Sequence, residues 1–374
     1  MPFFPVWLDD KGLDPQEIGV VLATPMVVRI LCVPVATRLA DRYNVLRGAI
    51  ILASLGSILG HLLLVAVSGF IAVVAAMALA AACFTPTFPL TDAYALRGLA
   101  ERRKAYGPVR LWSSAAYIAA NVGSGMIVGA MPRAGIVWLI IMAYVLGMLL
   151  AWLLIPLPPH READAGPARR GGSLWRMPAF VLIVTAYGCV QASHAVYYGF
   201  STLDWSAKGI GDATIGVLWA IGVLVEIGLF AVSGFVMRYV SPPALIVIGG
   251  LGGLLRWALM AFDPPFAALP FLQMLHALTF CATHLGAMTF IAHAVPPGRA
   301  ATAQGDLSAA QSAIFAVAMS GSGFLFNRYG DFAYLAMASL AAAGAAIAFC
   351  ACLTWRDPHE NAGVSPTGPD RADR

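Results

Sequence analysis

Glu226 sits in a thirteen-residue run, AIGVLVEIGLFAV (220–232), whose other twelve residues carry no polar side chain. Arg256 is placed the same way in GGLGGLLRWALMAF (249–262), and Arg29 in VVLATPMVVRILCVPV (20–35). An ionisable group at mid-bilayer costs at least about 2.5–3.5 kcal/mol on insertion scales, so it faces a partner or a wet cavity. Glu226 and Arg256 each lie about thirteen residues into their spans, roughly 20 Å along the axis, and the spans run in opposite directions. Their depths agree, and the two are expected to form a buried ion pair. Proton exchange and recognition of a charged solute are the chemistry such groups offer.

Three further spans carry polar residues at helical spacing. Arg110, Ser114, Tyr117 and Asn121 share one face. So do Tyr187, Gln191, His194, Tyr198 and Ser201, and likewise Gln273, His276, Phe280 and His284. Three hydrogen-bonding faces cannot all point at lipid, but they can line one shared aqueous cavity. His61 is isolated and reads as a packing residue. Pro86 and Pro89 in FTPTFPLTDAYAL (84–96) are expected to bend their span before Asp92.

The elements that must hold these residues are membrane helices. Of 374 residues, 60% are hydrophobic and 11% charged, with mean hydropathy +0.78. A soluble domain carries about 25% charge. Apolar runs of roughly 20 residues recur, each able to cross about 30 Å of hydrocarbon as a helix. Eleven spans are predicted: 15–38, 47–68, 70–95, 108–131, 135–156, 177–203, 213–236, 243–262, 267–293, 303–326 and 331–354. Asp14 as N-cap, Pro15 at the first helical position and Glu17 in the first turn mark the start of the first.

The segment 157–176, LPPHREADAGPARRGGSLWR, is polar, basic and rich in Pro and Gly, and reads as a linker. It divides an N-terminal helical half (1–156) from a C-terminal one (177–355), with a polar tail at 356–374 that is expected to be disordered. Seventeen of the 23 lysines and arginines lie near 38–47, 97–110, 157–176, 238, 299 and the tail. Only Lys11, Arg133, Lys208 and Arg328 lie on the other side. This asymmetry puts the linker and C-terminus in the cytoplasm.

An internal repeat relates the halves. WLDDKGLDPQEIGVVLA (7–23) and DWSAKGIGDATIGVLWA (204–220) coincide at Lys-Gly, Ile-Gly-Val and the final Ala, at an offset of 197. AANVGSGMI (119–127) and AMSGSGFLF (318–326) share GSG at a nearly equal offset. The halves are parallel repeats, and the offset places Arg29 opposite Glu226. It also implies that most of the N-terminal half's first helix is missing from the sequence. Met1 is then an internal start, the intact product begins about 20–30 residues earlier, and the bundle has twelve helices.

Other classes find little support. There is no Walker A sequence, and Lys11, Lys104 and Lys208 are the only lysines. HExxH and GxSxG are absent, which speaks against common enzyme classes. The six cysteines lie in apolar spans without metal-type spacing and read as packing residues. No cofactor or nucleic-acid partner is expected; uphill transport would draw on an ion gradient.

Several motifs carry a family resemblance. LTDAYAL (90–96), YGPVRLWSS (106–114), QASHAVYYGF (191–200), VLVEI (223–227), LLRW (254–257) and QMLHALTF (273–280) resemble the 3-phenylpropionic acid transporter group of the major facilitator superfamily, relatives of lactose permease. The resemblance implies an all-α bundle of two six-helix repeats in the bacterial inner membrane, acting as a monomer by proton-coupled symport. In the permease pattern an acid and an arginine on successive helices bind substrate; Asp92 and Arg110 match. An acid contributing to the sugar site and to coupling matches Glu226, and a proton-coupling arginine and histidine match Arg256 and His276. The permease has a glutamate one turn after that histidine, where this chain has Thr279, so Glu226 or a histidine would have to carry the proton. The loop joining the spans 15–38 and 47–68 also departs, with Thr37 where a glycine is expected.

The resulting expectation is symport of a small aromatic carboxylate with H+. Arg29 or Arg110 would pair with the carboxylate; Tyr197, Tyr198 or Trp219 would pack the ring. Asp92, Tyr117, Asn121, Gln191 and His194 would complete the substrate site, with Glu226, Arg256, His276 and His284 coupling proton movement. A sugar or nucleoside symporter, or a drug exporter, of the same fold is the alternative.

Overall fold

The computed structural model describes residues 2–102, 107–157, 173–295 and 299–354. They form helices α1 (Phe4–Asp10), α2 (Pro15–Arg42), α3 (Leu46–Ala66), α4 (Phe70–Phe84), α5 (Thr87–Glu101), α6 (Gly107–Val128) and α7 (Ile136–Trp152) in the N-terminal half. The C-terminal half holds α8 (Pro178–Ala192), α9 (Ala195–Ala207), α10 (Asp212–Ala231), α11 (Ser233–Val236), α12 (Pro242–Met260), α13 (Leu269–Met274), a π-helical segment (Ala277–Ala282), α14 (Thr283–Ala294), α15 (Ala300–Tyr329) and α16 (Ala333–Thr354). Nine helical stretches among the described residues are long and apolar enough to cross a membrane. One of them, Thr302–Leu353, folds back on itself at Gly330 and supplies two spans. With α6, these account for the eleven predicted spans.

Three spans are broken, each for a local reason. Thr85 and Pro86 separate α4 from α5, and Pro89 lies in the first turn of α5, as the prolines predict. No proline separates α8 from α9. There Ser193 Oγ donates to the Val190 carbonyl (2.7 Å) and His194 Nδ1 lies 3.1 Å from the Gln191 carbonyl. Those side chains compete with the backbone ladder. The π-helical segment interrupts the third span directly after His276, a kind of bulge that recurs at functional sites.

The start of α2 is a reciprocal cap: Glu17 N donates to Asp14 Oδ1 (2.8 Å) and Asp14 N to Glu17 Oε2 (3.1 Å). The repeat is visible in the backbone as well. Gly12 (φ 84°) and Gly209 (φ 81°), 197 residues apart, both take the left-handed conformation that favours glycine after a helix. The lysines before them have matching roles. Lys11 donates to the carbonyls of Val65 and Val67 in the α3–α4 turn. Lys208 pairs with Asp263 (2.7 Å) in the α12–α13 turn, and with Asp204 (2.9 Å) and Asp331 (2.7 Å). Each lysine fastens the end of its half's first helix to the turn between the third and fourth.

The halves meet along two seams, α2 against α15 and α6 against α10. Glycine makes both possible. A Cβ on Gly19 would press on the Met319 carbonyl and Gly323, and one on Gly323 would strike the Pro15 carbonyl. Likewise a Cβ on Gly125 would meet the Asp212 carbonyl, and one on Gly216 the Asn121 carbonyl, each at 2.5 Å. All four glycines lie in the helix halves remote from the 157–173 connection. Towards that connection the same four helices are mostly exposed or half-buried. The bundle is therefore closed on one side and parted on the linker side.

Candidate substrate and coupling site

The centre of the site is Arg256, fully buried on α12. Its Nη2 donates to Gln273 Oε1 (2.8 Å), and its Nη1 lies 3.3 Å from His276 Nδ1 and 3.5 Å from Thr279 Oγ1. The guanidinium plane lies over Tyr197 (4.7 Å) and Trp257 (4.5 Å). Tyr197 also donates its hydroxyl to Gln273 Oε1 (2.7 Å). These partners are uncharged or, like His276, neutral imidazole facing a cation.

The histidine's tautomer follows from this contact. A guanidinium only donates, so His276 Nδ1 must accept, and the ring proton resides on Nε2. Nε2 faces Glu226 Oε2 at 3.8 Å. The expected direct Glu226–Arg256 pair is thus corrected: Glu226 faces the neutral ring of His276, which stands between acid and guanidinium. The reason is register. The polar face formed by Gln273 and His276 enters between α10 and α12 and meets the arginine's Nη1 and Nη2, leaving Nε unpartnered.

His194 is fully buried. Its Nδ1 donates to Gln191 O, leaving Nε2 to accept from Thr279 Oγ1 (2.9 Å). Thr279 therefore joins the two histidine neighbourhoods where the permease pattern has an acid. Beside it is an aromatic wall: Tyr197 stacks on Trp219 (4.5 Å), and Tyr198 stacks on Trp219 (5.7 Å), His194 (5.4 Å) and Phe315 (6.1 Å). Trp219 Nε1 donates to Thr202 Oγ1 (3.2 Å), fixing its ring.

Farther towards the linker side, Phe280 stacks on His276 (5.2 Å) and on His284 (6.5 Å). His284 Nδ1 lies 3.2 Å from the Tyr187 hydroxyl. Gln191 Nε2 donates to Phe280 O (3.4 Å). The two polar stripes of the C-terminal half thus face each other, as their periodicity predicts.

The N-terminal half contributes less uniformly. Tyr117 is 48% exposed, yet lies within electrostatic reach of Glu226, Tyr197 and Tyr198 on two other helices, so it borders the gap between the halves. Arg29 is exposed and within electrostatic reach of Tyr187 across the interface. Asn121 is placed differently from its expected position on the cavity wall. It is buried where α6 crosses α10, and its Nδ2 donates to the Tyr117 carbonyl (3.0 Å). Asp92 is half-buried on α5. The side chain of Arg110 falls outside the described residues.

His61 packs as expected, with Nδ1 2.8 Å from the Ser57 carbonyl and its ring against Tyr144 (5.1 Å). It borders a cavity of about 300 Å³ with Phe4, Leu22, Phe84, Tyr144 and Tyr198. Sequence reasoning missed Trp257, whose Nε1 donates to Ser193 Oγ (2.9 Å) at the α8–α9 break. The Arg-Trp pair in an otherwise apolar span was the available signal. It also missed Phe315, which nothing in its small-residue surroundings marks.

The model of the MFS_1 like family matches residues 1–336. This chain belongs to that family. It is 31% identical over 368 residues to the "Probable 3-phenylpropionic acid transporter" of Escherichia coli (strain K12), covering 91% of this chain and 90% of that one. Its fold matches a crystal structure of a point mutant of the nucleoside transporter NupG, with a TM-score of 0.81, 14% identity and 95% of each chain covered. It also matches a bacterial homologue of the human lysosomal transporter Spinster in an inward-facing and occupied conformation, with a TM-score of 0.68, 16% identity, and 98% and 95% covered. The fold is that of a multi-pass major facilitator transporter.

Proposed function

We propose that this transporter carries a small aromatic carboxylate together with H+, by alternating access around the site between the two halves. The observation that carries this reading is the pairing of a stacked aromatic wall (Tyr197, Tyr198, Trp219) with arginines whose described contacts are all uncharged. Arg256 meets only neutral groups, and Arg29 makes no hydrogen bond or ion pair with a described residue. Such a surplus of fixed positive charge favours an anionic solute, and the wall favours an aromatic one. The name of the 31%-identical relative agrees.

Proton coupling rests on Glu226. In this reading its carboxylate is released from His276 on protonation and re-forms that contact on deprotonation. The two arrangements bias which side of the bundle is open. Solute and H+ move together, the proton gradient is the energy source, and no cofactor takes part. The basic loops support a cytoplasmic linker side, and in this reading the protein works as a monomer in a bacterial inner membrane.

The test is uptake of labelled 3-phenylpropionate into proteoliposomes, with and without an imposed inward pH gradient. Competition by a nucleoside and by a disaccharide distinguishes the same fold working on sugars, a reading kept open by the 25%-identical "Maltose permease" of Geobacillus stearothermophilus. Gradient-driven accumulation of the acid, unaffected by the competitors, is expected. Uptake of the disaccharide alone sinks the reading.

A further inference from the structure

Away from the solute site, the linker-side ends of α3, α5 and α7 enclose a cavity of about 140 Å³. Asn44, Arg47, Gly48, Tyr94, Arg97 and Leu157 are among the residues that line it. Its walls are tied together. Arg47 Nη2 donates to the Trp152 carbonyl at the end of α7 (2.7 Å), and the Tyr94 hydroxyl of α5 donates to Ile155 O (2.7 Å). Arg97 Nη1 donates to Asn44 Oδ1 (3.5 Å).

The lining is cationic and rich in donors. Arg47 uses only Nη2 within the protein: its Nη1 makes no hydrogen bond, and its Nε is buried without a partner. A sealed N–H of this kind is costly unless an acceptor meets it. The cavity also covers the first turn of α3. Its N-cap, Val45, has no side-chain acceptor, so the N–H groups of Leu46, Arg47 and Gly48 stay uncapped. The chain around it, 38–47 and 97–104, holds three and four basic residues against only Asp41 and Glu101. Trp152, Leu153 and Ile155, next to the two carbonyls that pin the walls, expose apolar side chains.

We propose that this cavity binds a phosphate group, supplied by the headgroup of an anionic phospholipid in the leaflet on the linker side. A phosphate diester offers several acceptor oxygens at once, which suits donors arriving from a guanidinium and from a helix start. Arg47 and Arg97 supply the charge of the site, and the first turn of α3 adds N–H donors. The exposed side chains of Trp152, Leu153 and Ile155 give acyl chains an apolar surface beside it, which favours a lipid over free phosphate. Because Arg47 joins the start of α3 to the end of α7, the bound headgroup braces the linker-side end of the N-terminal half.

The experiment titrates dioctanoyl-phosphatidylglycerol, dioctanoylglycerol and inorganic phosphate into the delipidated full chain in neutral detergent. Native mass spectrometry reads occupancy, and thermal unfolding reads the stabilisation that binding brings. Wild type is expected to hold the phosphatidylglycerol about tenfold or more tighter than the phosphate-free dioctanoylglycerol. Arg47→Gln is expected to lose about tenfold for the phospholipid, the size of a charge-assisted contact, and Arg47→Lys less. Gly48→Glu separates binding from folding. A Cβ at Gly48 meets only Val45, at an ordinary 3.9 Å, and an acid in the first turn suits the helix dipole. This variant is expected to unfold no earlier than wild type, yet to bind phosphatidylglycerol about tenfold more weakly, because its carboxylate repels phosphate. Unchanged phospholipid affinity in Gly48→Glu overturns the site, and a loss in Arg47→Gln alone then marks Arg47 as a tie between α3 and α7. Equal affinity of wild type for the two lipids overturns phosphate recognition. Inorganic phosphate that binds as tightly as the phospholipid and displaces it overturns the headgroup as the source.

Discussion

Glu226 Oε2 lies 3.8 Å from His276 Nε2, the nitrogen that must carry the imidazole proton because Arg256 donates to the other. The contact is long for a formed hydrogen bond and close enough to become one with a small movement of α10. Glu226→Gln removes the titrating oxygen and keeps the shape. It is expected to abolish pH-driven accumulation of the acid and to leave solute exchange across the membrane within about threefold of wild type, the scale of one neutral hydrogen bond. Proteoliposome counterflow and gradient-driven uptake, measured side by side, check this; unchanged accumulation removes Glu226 from the coupling.

Arg256 lies against the rings of Tyr197 and Trp257 and has no exposed surface. Arg256→Ala leaves Gln273 Oε1 with only the Tyr197 donor and opens a cavity, and is expected to destabilise the protein by about 3 kcal/mol. Arg256→Lys keeps the charge but neither the fork nor the flat stacking surface, so it is expected to recover less than half of that loss. Thermal unfolding of the purified variants in detergent gives both values. A lysine variant as stable as wild type shows that charge alone is what the site needs.

How much of this was visible beforehand depends on the kind of signal. The spans and the repeat follow from hydropathy and from matched Lys-Gly and GSG motifs, whereas most of the expected linker and the tail after 354 lie outside the described residues. The polar stripes, being periodic, identified the right helix faces. Glu226–Arg256 was misread because depth along a helix says nothing about azimuth, and His276 occupies the angle between them. Asn121 was misread for a related reason. Its stripe faces the partner helix at a glycine crossing, where a polar side chain serves packing as readily as solute. The α8–α9 break had no proline to announce it, since Ser193 and His194 make it through their own hydrogen bonds.

The seam at Gly216 has room for hydrogen and nothing larger. Gly216→Val would drive a branched side chain into the Asn121 carbonyl and part α6 from α10 on the closed side. The expected result is at least about tenfold slower transport, since even a displacement near 1 Å costs that much in a site built from both halves. A cysteine placed at Ala213 should at the same time react faster with a thiol reagent applied from the side away from the linker. Normal transport with unaltered labelling argues that the seam is not a gate.

Lys208 is drawn three ways, to Asp263, Asp331 and Asp204. Burial lowers its pKa, but the hydrogen bonds to those aspartates outweigh burial and raise it above the ordinary lysine value. A raised folded pKa gives stability that is complete below the unfolded value of about 10.4 and is lost only as pH climbs through the folded one. Lys208→Met is therefore expected to cost about 1 kcal/mol, the group being partly solvated, with a deficit that is constant between pH 7 and 9. Melting curves of both proteins across that range test it. A deficit that shrinks within the range assigns the stabilisation to another group.

The glycine crossings hold the bundle shut with main chain against main chain, and even Asp212 meets Gly125 through its backbone carbonyl. A latch of that composition is deaf to acidity. Whatever the proton does at Glu226 must arrive there as a tilt of whole rods, which makes α10, carrying Glu226 and Gly216 ten residues apart, the lever that joins sensor to door.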